Sequence, residues 1–461
     1  MRLILSFIGL ALCALNARAA ESQPNFLIIL GDDISASSLG CYGSKNPHTS
    51  PNIDRLADEG MRFTNMFVTE AICAPARAEL YTGQQPHRNG CMQNHKATRN
   101  GTLSVVQHLG KLGYRVGLTG KTHIKPKSVY PFEVVKGFPK NCNARDLPGA
   151  DWDGVEAFMT RDEEQPFCLF LCSIHAHSPW DAGDTSHWEL DELKLPPHLA
   201  DTEETRRLYR EYLAEVRLFD DQVGKAQAML KKLKLDANTV LIVLDENGAG
   251  MPCGKWTNFD WGVRSACVVK WPESGSKPVV TDALTQYCDI LPTLIDAGGG
   301  AMPDDLDGRS LLPLITGQTK KHRDHAFFTY NSGPEGPSFV SRAVTDGRFK
   351  LMWNLTPEMA FAVRTINGFD FGYVDKMKDR HVRMMYLSWL EAAKNDPQAA
   401  ESVQRFRRQP EYQLYDLSKD PWERENLAGN PEYGEQLAAL KGSLSGWMEQ
   451  QGDTGIKSRK K

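Results

Sequence analysis

The sequence lacks a strong excess of either charge, and it contains no internal repeat or low-complexity tract. Its 54 Lys and Arg residues are nearly balanced by 58 Asp and Glu residues, for a formal net charge of -4. Proteins that bind nucleic acids usually carry a basic patch that meets the phosphates. The one basic run, residues 457–461, ends the chain, where a frayed and solvated terminus is expected. The composition therefore predicts no nucleic-acid partner.

Long hydrophobic runs are also missing after the first twenty residues. No later segment approaches the roughly 18 apolar residues of a membrane-spanning helix, so stable membrane insertion is not expected. Residues 1–20 have the features of a secretory signal: Arg2, an apolar run from Leu3 to Leu15, and an A-x-A-type cleavage site at Ala17-Arg18-Ala19. We therefore predict that the chain is exported and acts in the periplasm or after secretion.

Cysteines are present in a number that cannot all pair. One of the ten, Cys13, lies in the predicted signal, which leaves nine. An odd number leaves at least one cysteine outside any disulfide. Cys168 and Cys172 fall in one apparent strand, where four residues span about 13 Å, so these two cannot bond to each other. The sequence does not decide which of the others pair.

The sequence does contain a regular alternation of apolar runs and helical patterns. Helix 51–59 is expected to begin after an N-cap at Ser50, and residues 203–233 form a long amphipathic helix. Strands that alternate with helices predict an α/β fold with a mainly parallel sheet. The apolar runs that indicate buried parallel strands are 25–30, 115–119, 167–172 and 239–244.

The pattern changes near the C-terminal third of the chain. Asp346-Gly347 stands between the strand-like runs 340–345 and 348–353, which is a strong signal for a tight hairpin. A terminal helix follows, and the segment is typical of a small antiparallel sheet with a helix. After the signal we predict two parts, a large domain over residues 21–335 and an α+β subdomain over residues 336–461.

Polar residues follow directly after the last residue of each predicted strand. In open α/β sheets, ligands bind at the carboxyl ends of the strands. Residues that are far apart in the sequence are therefore expected to meet at one edge of the sheet. These residues are Asp32 and Asp33, Lys121 and His123, His175 and His177, and Glu246 and Asn247.

The most specific short pattern is Cys73-Ala74-Pro75-Ala76-Arg77. Pro75 suits the first turn of a helix, where its missing N–H is not needed. Cys73 is then expected at a helix N-terminus, where free N–H groups and the helix dipole favour an anion. Arg77 lies one helical turn further on, so its guanidinium can reach the same point. A buried thiol beside a surface arginine is the simpler alternative for five residues alone.

This pattern resembles the signature of the type I, formylglycine-dependent sulfatases, which belong to the alkaline-phosphatase-like superfamily. Other segments look like that family in the same order, although Thr122 stands where an aromatic residue is usual. The resemblance implies a large mixed, mainly parallel sheet sandwiched by helices, with a smaller C-terminal antiparallel sheet plus helix. These further segments are Asp32-Asp33, Gly120-Lys121-Thr122-His123, Lys255-Trp256-Thr257 and Glu425-Asn426-Leu427.

The resemblance also implies that a formylglycine-generating enzyme converts Cys73 to formylglycine and that a divalent cation is bound. Oxygen ligands suit Ca²⁺, with Mg²⁺ as the second choice. The family has Asp where this chain has Glu246, so Asp245 stays open as an alternative ligand. Turns after strands are the simpler interpretation of these acidic segments taken singly. The ligands carried over are Asp32, Asp33, Cys73, Glu246 and Asn247.

Roles for the other polar groups come from the same resemblance. Lys121 and Lys255 would bind the sulfate oxygens, and Arg77 would hold the oxygens of the formylglycine. His177, or Lys255 in its place, would protonate the leaving alcohol, and His123 would take a proton from the hydrated aldehyde. The implied catalytic set is Cys73, Arg77, Lys121, His123, His177 and Lys255.

A sulfated saccharide is the expected substrate. The Glu-Asn-Gly variant with the adjoining Lys255-Trp256-Thr257 looks similar to sulfatases of glycosaminoglycans, including bacterial heparan-type members. For His175 and Trp180 a structural role is an equal alternative. The candidate substrate contacts are His95, Arg99, His175, Trp180 and Asp181.

Two other functions stay open at this point. A related metal-dependent phosphodiesterase or phosphonate monoesterase would share the fold and can also use formylglycine. A non-catalytic, exported sulfoglycan-binding protein would have lost a catalytic group, and only the unusual Glu246 points that way. Fold alone does not identify sulfate chemistry, because similar folds host many reactions.

Overall fold

The computed structural model describes residues 23–142, 149–272, 278–333, 335–337, 339–371 and 381–455. The predicted signal peptide and the basic tail lie outside these ranges. Within them, we find no helix with both the length and the apolar composition needed to cross a membrane.

Fifteen strands and twelve α-helices are formed by the described residues and are numbered along the sequence. The strands are β1 Asn25–Gly31, β2 Met61–Phe63, β3 Met66–Phe67, β4 Arg115–Gly120, β5 Glu133–Val134, β6 Phe167–Cys172, β7 Thr239–Asp245, β8 Arg264–Ser265, β9 Cys267–Lys270, β10 Val279–Thr281, β11 Thr285–Gln286, β12 Ala326–Asn331, β13 Val340–Thr345, β14 Phe349–Asn354 and β15 Tyr412–Asp416. The helices are α1 Pro51–Glu59, α2 Cys73–Thr82, α3 Pro86–Asn89, α4 Val105–Gly110, α5 Trp152–Thr160, α6 Glu203–Lys232, α7 Asp260–Val263, α8 Ile290–Ala297, α9 Leu312–Ile315, α10 His381–Ala392, α11 Pro397–Arg407 and α12 Gly434–Gln450.

An eight-stranded sheet forms the centre of the larger part, in the order β10-β2-β9-β7-β1-β6-β4-β5. Among these described strands, β9 alone runs antiparallel to its neighbours β2 and β7. β1 lies between β6 and β7, where Ile28 is paired with Phe170 on one side and Ile242 on the other. All seven residues of β1 are buried, as expected for a strand covered on both faces. The predicted large, mainly parallel sheet is confirmed.

Four neighbouring strands, β7, β1, β6 and β4, end at the same edge of this sheet. They end at Asp245, Gly31, Cys172 and Gly120, within one residue of the predicted ends. The polar clusters of the sequence therefore start from adjacent points along one edge. This arrangement positions the candidate site.

The helices next to these strands follow the sequence pattern closely. α1 begins at Pro51 as expected, but the Ser50 hydroxyl accepts a hydrogen bond from the Gly40 N–H at 2.7 Å instead of capping its own helix. α6 extends over 30 residues and ends within one residue of its predicted end. Its buried face includes Tyr212 and Glu215.

Strands β12–β15 form a separate antiparallel sheet, and the predicted hairpin is its β13–β14 pair. One face of this sheet, including Phe328 and Met352, packs against the main core. The other face, including Leu351, packs against Trp447 of α12. The smaller antiparallel sheet plus helix is thus confirmed. β12 joins this sheet although it precedes residue 335, and the proposed domain boundary stays a prediction.

Candidate active site

Helix α2 begins at Cys73, and its first turn is closed by the Ala76 N–H, which donates to the Ile72 carbonyl at 3.0 Å. All ten residues of α2 are buried. The thiol therefore lies at a helix N-terminus inside the protein, where the helix dipole favours negative charge.

Three charged groups surround the Cys73 thiol. Its Sγ lies 2.9 Å from Lys255 Nζ, 3.3 Å from Lys121 Nζ and 3.9 Å from Asp33 Oδ1. Burial raises the pKa of the thiol well above its usual value, Glu246 adds to this, and the two lysines oppose it. Asp33, two residues after β1, Lys121, directly after β4, and the start of α2 thus meet at one point.

Each lysine at the thiol also binds one carboxylate of the acidic pair. Lys121 Nζ lies 2.7 Å from both carboxylate oxygens of Asp32, and Lys255 Nζ lies 2.7 and 2.8 Å from those of Asp33. Burial raises the pKa of Asp32 to about 8, against the opposing charge of Lys121. For Asp33, burial also acts to raise the pKa, but Lys255 and His177 outweigh it, so the net shift is downward.

Arg77 is directed inward, towards the same site. One guanidinium nitrogen donates to the Lys121 carbonyl at 2.7 Å, and another forms a buried ion pair with Glu246 Oε2. Burial alone would raise the pKa of Glu246, but Arg77 and Lys121 hold it well below the usual range. Both Arg77 and Glu246 have no exposed side-chain surface, so the surface arginine considered above does not describe this site.

A group of oxygen and sulfur donors lies close enough to share one cation. Asp32, Cys73 and Glu246 each offer one ligand atom, and these atoms lie within 4.8 Å of one another. Glu246 Oε1 and Asn247 Oδ1 are buried and accept no hydrogen bond, although Glu246 Oε1 lies 3.7 Å from Lys121 Nζ. Asn247 Nδ2 donates to Asp33 Oδ1 at 2.9 Å. Unpaired buried oxygen atoms are costly unless a ligand binds them. The residues present therefore fit a divalent cation.

Asp245 is directed away from this donor group. Its Oδ1 lies 3.2 Å from the position that a Cβ on Gly31 would occupy, within the strand layer. Its carboxylate is buried, and burial raises its pKa well above the usual value. Glu246, not Asp245, contributes the carboxylate at the thiol.

Two histidines flank the thiol and the acidic pair. His177 Nε2 lies 3.8 Å from Asp33 Oδ2, and His123 Nε2 lies 2.8 Å from His95 Nδ1. Burial lowers the pKa of each of His123 and His177 to about 3, with Lys121 acting in the same direction. An anion bound in the site would oppose both shifts, because a nearby negative charge favours the protonated ring.

The candidate substrate residues fall into different surroundings. His95, whose side chain is 58% exposed, lines the cleft above the thiol. His175 and Asp181 line a second cleft that shares His177 with the first. Trp180 is buried and donates from its indole N–H to the Ala176 carbonyl at 2.8 Å, which corresponds to the packing role.

Arg99 is not brought to the cleft. Its guanidinium donates to the His87 carbonyl at 2.9 Å, and its side chain lies against Gly90. The expectation that it contacts substrate is therefore not supported by its position. Its location results from the loop after α3, which the local sequence pattern did not define.

The cleft above the thiol has a volume of about 430 Å³. Its walls include residues that sequence reasoning missed, because they come from loops outside any motif. Polar residues in loops are common, so their presence there is only a weak signal for a site. The missed lining residues are Asn94, Lys140, Glu335, Arg364 and Thr365.

Comparison with known proteins identifies the family of the chain. The sulfatase family model matches residues 24–300, and the model of the C-terminal region of N-sulphoglucosamine sulphohydrolase matches residues 254–362. An ulvan-active sulfatase of Formosa agariphila is 31% identical over 443 residues, which cover 95% of this chain and 82% of that relative.

Solved structures share the fold over most of the chain. One, determined with its substrate D-glucosamine-2-N,6-O-disulfate, has a TM-score of 0.69 at 19% identity and covers 94% of this chain and 99% of that chain. The phosphonate monoester hydrolase of Agrobacterium radiobacter has a TM-score of 0.70 at 17% identity, with 93% and 96% covered. Because the sulfatase family model matches more than half of the chain and a sulfatase is more than 30% identical along nearly all of it, the chain belongs to the sulfatase family and is a sulfuric ester hydrolase.

Proposed function

We propose that the protein removes sulfate, as an ester or an N-sulfate, from a carbohydrate outside the cytoplasm. It would use formylglycine made from Cys73 and one divalent cation, with Ca²⁺ the first choice and Mg²⁺ the second. The observation that carries the proposal is the position of the Cys73 thiol, within 3.3 Å of both Lys121 Nζ and Lys255 Nζ at a buried helix start.

Asp32, Asp33, Glu246 and Asn247 would hold the cation together with residue 73. Three buried carboxylates here lie beside three buried cationic side chains. A divalent cation would add two positive charges, which favours an anionic substrate. Asn247 Oδ1 and Glu246 Oε1, which are buried and accept no hydrogen bond, support oxygen ligation.

When present, the cation and the hydrated aldehyde supply a polarised sulfate group and an attacking hydroxyl. The side chains do the remaining work. Lys121 and Lys255 would bind sulfate oxygens as charge develops on them, and Arg77 would fix the groups on residue 73. His177, next to Asp33, would give a proton to the leaving oxygen, and His123 would accept one at the nucleophile.

The substrates named for similar proteins support a saccharide. The relatives named above include an ulvan-active sulfatase and a structure with a sulfated glucosamine. The apparent signal at residues 1–20 supports export to the periplasm or beyond. A formylglycine-generating enzyme would be the partner required for maturation.

Mass spectrometry tests the nucleophile assignment. Co-expression with a formylglycine-generating enzyme should yield a Cys73 peptide lighter by about 18 Da, the mass change of thiol-to-aldehyde conversion. The matured protein should release sulfate from at least one member of a panel of defined sulfated sugars. An unconverted Cys73 in fully active protein would contradict the proposal.

Phosphonate or phosphodiester hydrolysis is the second candidate, because phosphonate monoester hydrolases share the fold. Assay of 4-nitrophenyl sulfate beside bis(4-nitrophenyl) phosphate and phenylphosphonate 4-nitrophenyl ester separates the two. We expect sulfate-ester turnover to exceed the other two. The reverse order would favour the second candidate.

A further inference from the structure

The loop of residues 175–182 follows β6 and carries His177, and its two ends are tied to one side chain on another element. That side chain is Glu215, in the middle of α6. None of the motifs in the sequence pointed to Glu215. Its carboxylate is the feature on which the inference depends.

Both carboxylate oxygens of Glu215 are used. Oε2 lies 3.0 Å from His175 Nδ1 at the start of the loop. Oε1 accepts hydrogen bonds from the backbone N–H groups of Asp181 at 3.1 Å and Ala182 at 3.3 Å, at the end of the loop. Hydrogen bonds to an ionised carboxylate are about twice as strong as neutral ones.

Glu215 is a buried group, with 3% of its surface exposed. Burying a carboxylate costs free energy unless hydrogen bonds satisfy it. All three contacts are made to this one carboxylate, so they form a single network. Loss of the carboxylate would release both ends of the loop at once. It would also leave two backbone N–H groups without their acceptor.

Further contacts connect the same loop to the site and to α6. The Trp180 ring packs edge-on against Tyr212, three residues before Glu215, with ring centroids 5.6 Å apart. The His175 carbonyl accepts a hydrogen bond from the Asp32 N–H at 2.9 Å. His177 thus lies in a segment held by α6 on one side and by the acidic pair on the other.

We propose that Glu215 is a positioning residue that fixes this loop, so that the His177 ring stays beside Asp33 in place to protonate the leaving oxygen. The inference rests on the proposed function of His177. A proton donor must lie within hydrogen-bond reach of the leaving atom, and a displacement of about 1 Å can cost about 10²-fold in rate.

The first test measures the loop directly. Hydrogen exchange of the peptide that contains residues 175–182 is compared in Glu215→Ala, in Glu211→Ala and in the unaltered protein. Glu211 is the matched control, since it is a half-buried glutamate one turn earlier on α6, and its carboxylate pairs with Arg207 at 2.6 Å instead of with the loop. We expect faster exchange of the loop in Glu215→Ala alone. Unchanged exchange would overturn the proposal.

The second test uses the dependence on the leaving group. Matured full-length protein is assayed on 4-nitrophenyl, phenyl and 4-methoxyphenyl sulfate, whose phenolates are progressively poorer leaving groups. Glu215→Ala should lose at least about tenfold in kcat/KM on 4-methoxyphenyl sulfate and less than about threefold on 4-nitrophenyl sulfate, since only the poor leaving group needs the proton. Equal losses on all three esters, or no loss on any, would contradict the positioning role.

Two further variants separate the possible failures. Glu215→Gln keeps an oxygen that accepts both backbone N–H groups, so it should recover most of the activity, and it serves if the alanine variant does not fold. His177→Ala should show the same dependence on the leaving group, and adding Glu215→Ala to it should cost little more. If His177→Ala loses the same factor in kcat/KM on all three esters, the proton-donor role of His177 is itself contradicted. If the loss in kcat/KM depends on the leaving group for His177→Ala but not for Glu215→Ala, only the role of Glu215 is contradicted.

Discussion

At the scale of single residues, the site is defined by charge pairs that are completed inside the protein. Lys121 and Lys255 each bind a carboxylate and each approach the Cys73 thiol. Because these groups are buried, their interactions are stronger than they would be in water. The same burial makes each unpaired oxygen a point where a ligand would stabilise the protein.

Cation binding is expected to stabilise the folded protein through Glu246. Calcium at one hundred times its Kd should add about 2.7 kcal/mol to the free energy of unfolding. Thermal unfolding with and without calcium measures this as a rise in Tm. Glu246→Gln should remove most of the rise, whereas Asp245→Asn should keep it, because Asp245 lies away from the donor group. The opposite result would assign the ligand to Asp245.

Replacement of the thiol tests the nucleophile at the same scale. Cys73→Ala should lower kcat at least about 10³-fold, because loss of a covalent nucleophile leaves only the binding and electrostatic terms. Its Tm should stay near that of the unaltered protein. Cys168→Ala, which changes another buried cysteine in β6, is the control and should stay active. Full sulfatase activity in Cys73→Ala would remove the assignment.

At the scale of elements, the strand ends decide where the functional side chains begin. Gly120 ends β4 directly before Lys121 and has a φ of +88°. A Cβ at this position would lie 1.9 Å from the Cys172 carbonyl oxygen at the end of β6. The close approach of the two strand ends thus requires glycine, and it places Lys121 beside the acidic pair.

Gly120→Ala should therefore lower the free energy of unfolding by more than about 3 kcal/mol, combining left-handed backbone strain with a steric clash. Gly113→Ala is the matched control, because Gly113 has a φ of +90° but no atom within 4 Å of its would-be Cβ. It should cost only about 1–2 kcal/mol. Denaturant unfolding measures both, and equal costs would show that the approach of the strand ends is unimportant.

At the scale of the whole molecule, a buried ion pair connects the chain end to the small sheet. Asp453, just after α12, pairs with Arg342 of β13, and His87 Nε2 lies 3.2 Å from Asp453 Oδ1. Burial alone would raise the pKa of Asp453, but the nearby His87 ring and the Arg342 guanidinium hold it far below the ordinary value of 3.8. The contact joins α3, β13 and the C-terminal segment.

This shift predicts how stability depends on pH. A carboxyl with a lowered folded-state pKa stabilises the protein fully above its unfolded pKa, and this contribution is lost as the pH falls below about 4. Asp453→Asn should reduce the free energy of unfolding by about 3–5 kcal/mol at pH 7, because Arg342 is left buried without its partner. The difference from the unaltered protein should shrink at pH 3.

Unfolding curves at the two pH values test this prediction. Asp324→Asn is the control, since Asp324 and its partner Lys321 are 72% and 76% exposed, and exposed pairs contribute little. If Asp453→Asn lowers the free energy of unfolding by the same amount at both pH values, the lowered pKa of Asp453 does not contribute to stability.

Much of the fold was accessible from sequence because it depends on local patterns. The apolar run 25–30 predicts β1, and Pro51 with its flanking residues predicts α1, since both signals lie within a few neighbouring positions. The start of α2 at Cys73 followed from Pro75 in the same way. Residues placed after strand ends, such as Lys121, were predictable because parallel strands end at one edge.

The sequence by itself determined which residues could act: the strand ends, the helix that begins at Cys73 and the order of the family motifs. Only the tertiary structure decided that Glu246 and not Asp245 faces the thiol, that Arg99 is directed elsewhere, and that Glu215 holds the loop of His177. The reason is physical. Local pattern depends on neighbours in the chain, whereas side-chain direction and long-range contact depend on the packing of distant segments, which no short stretch of sequence contains.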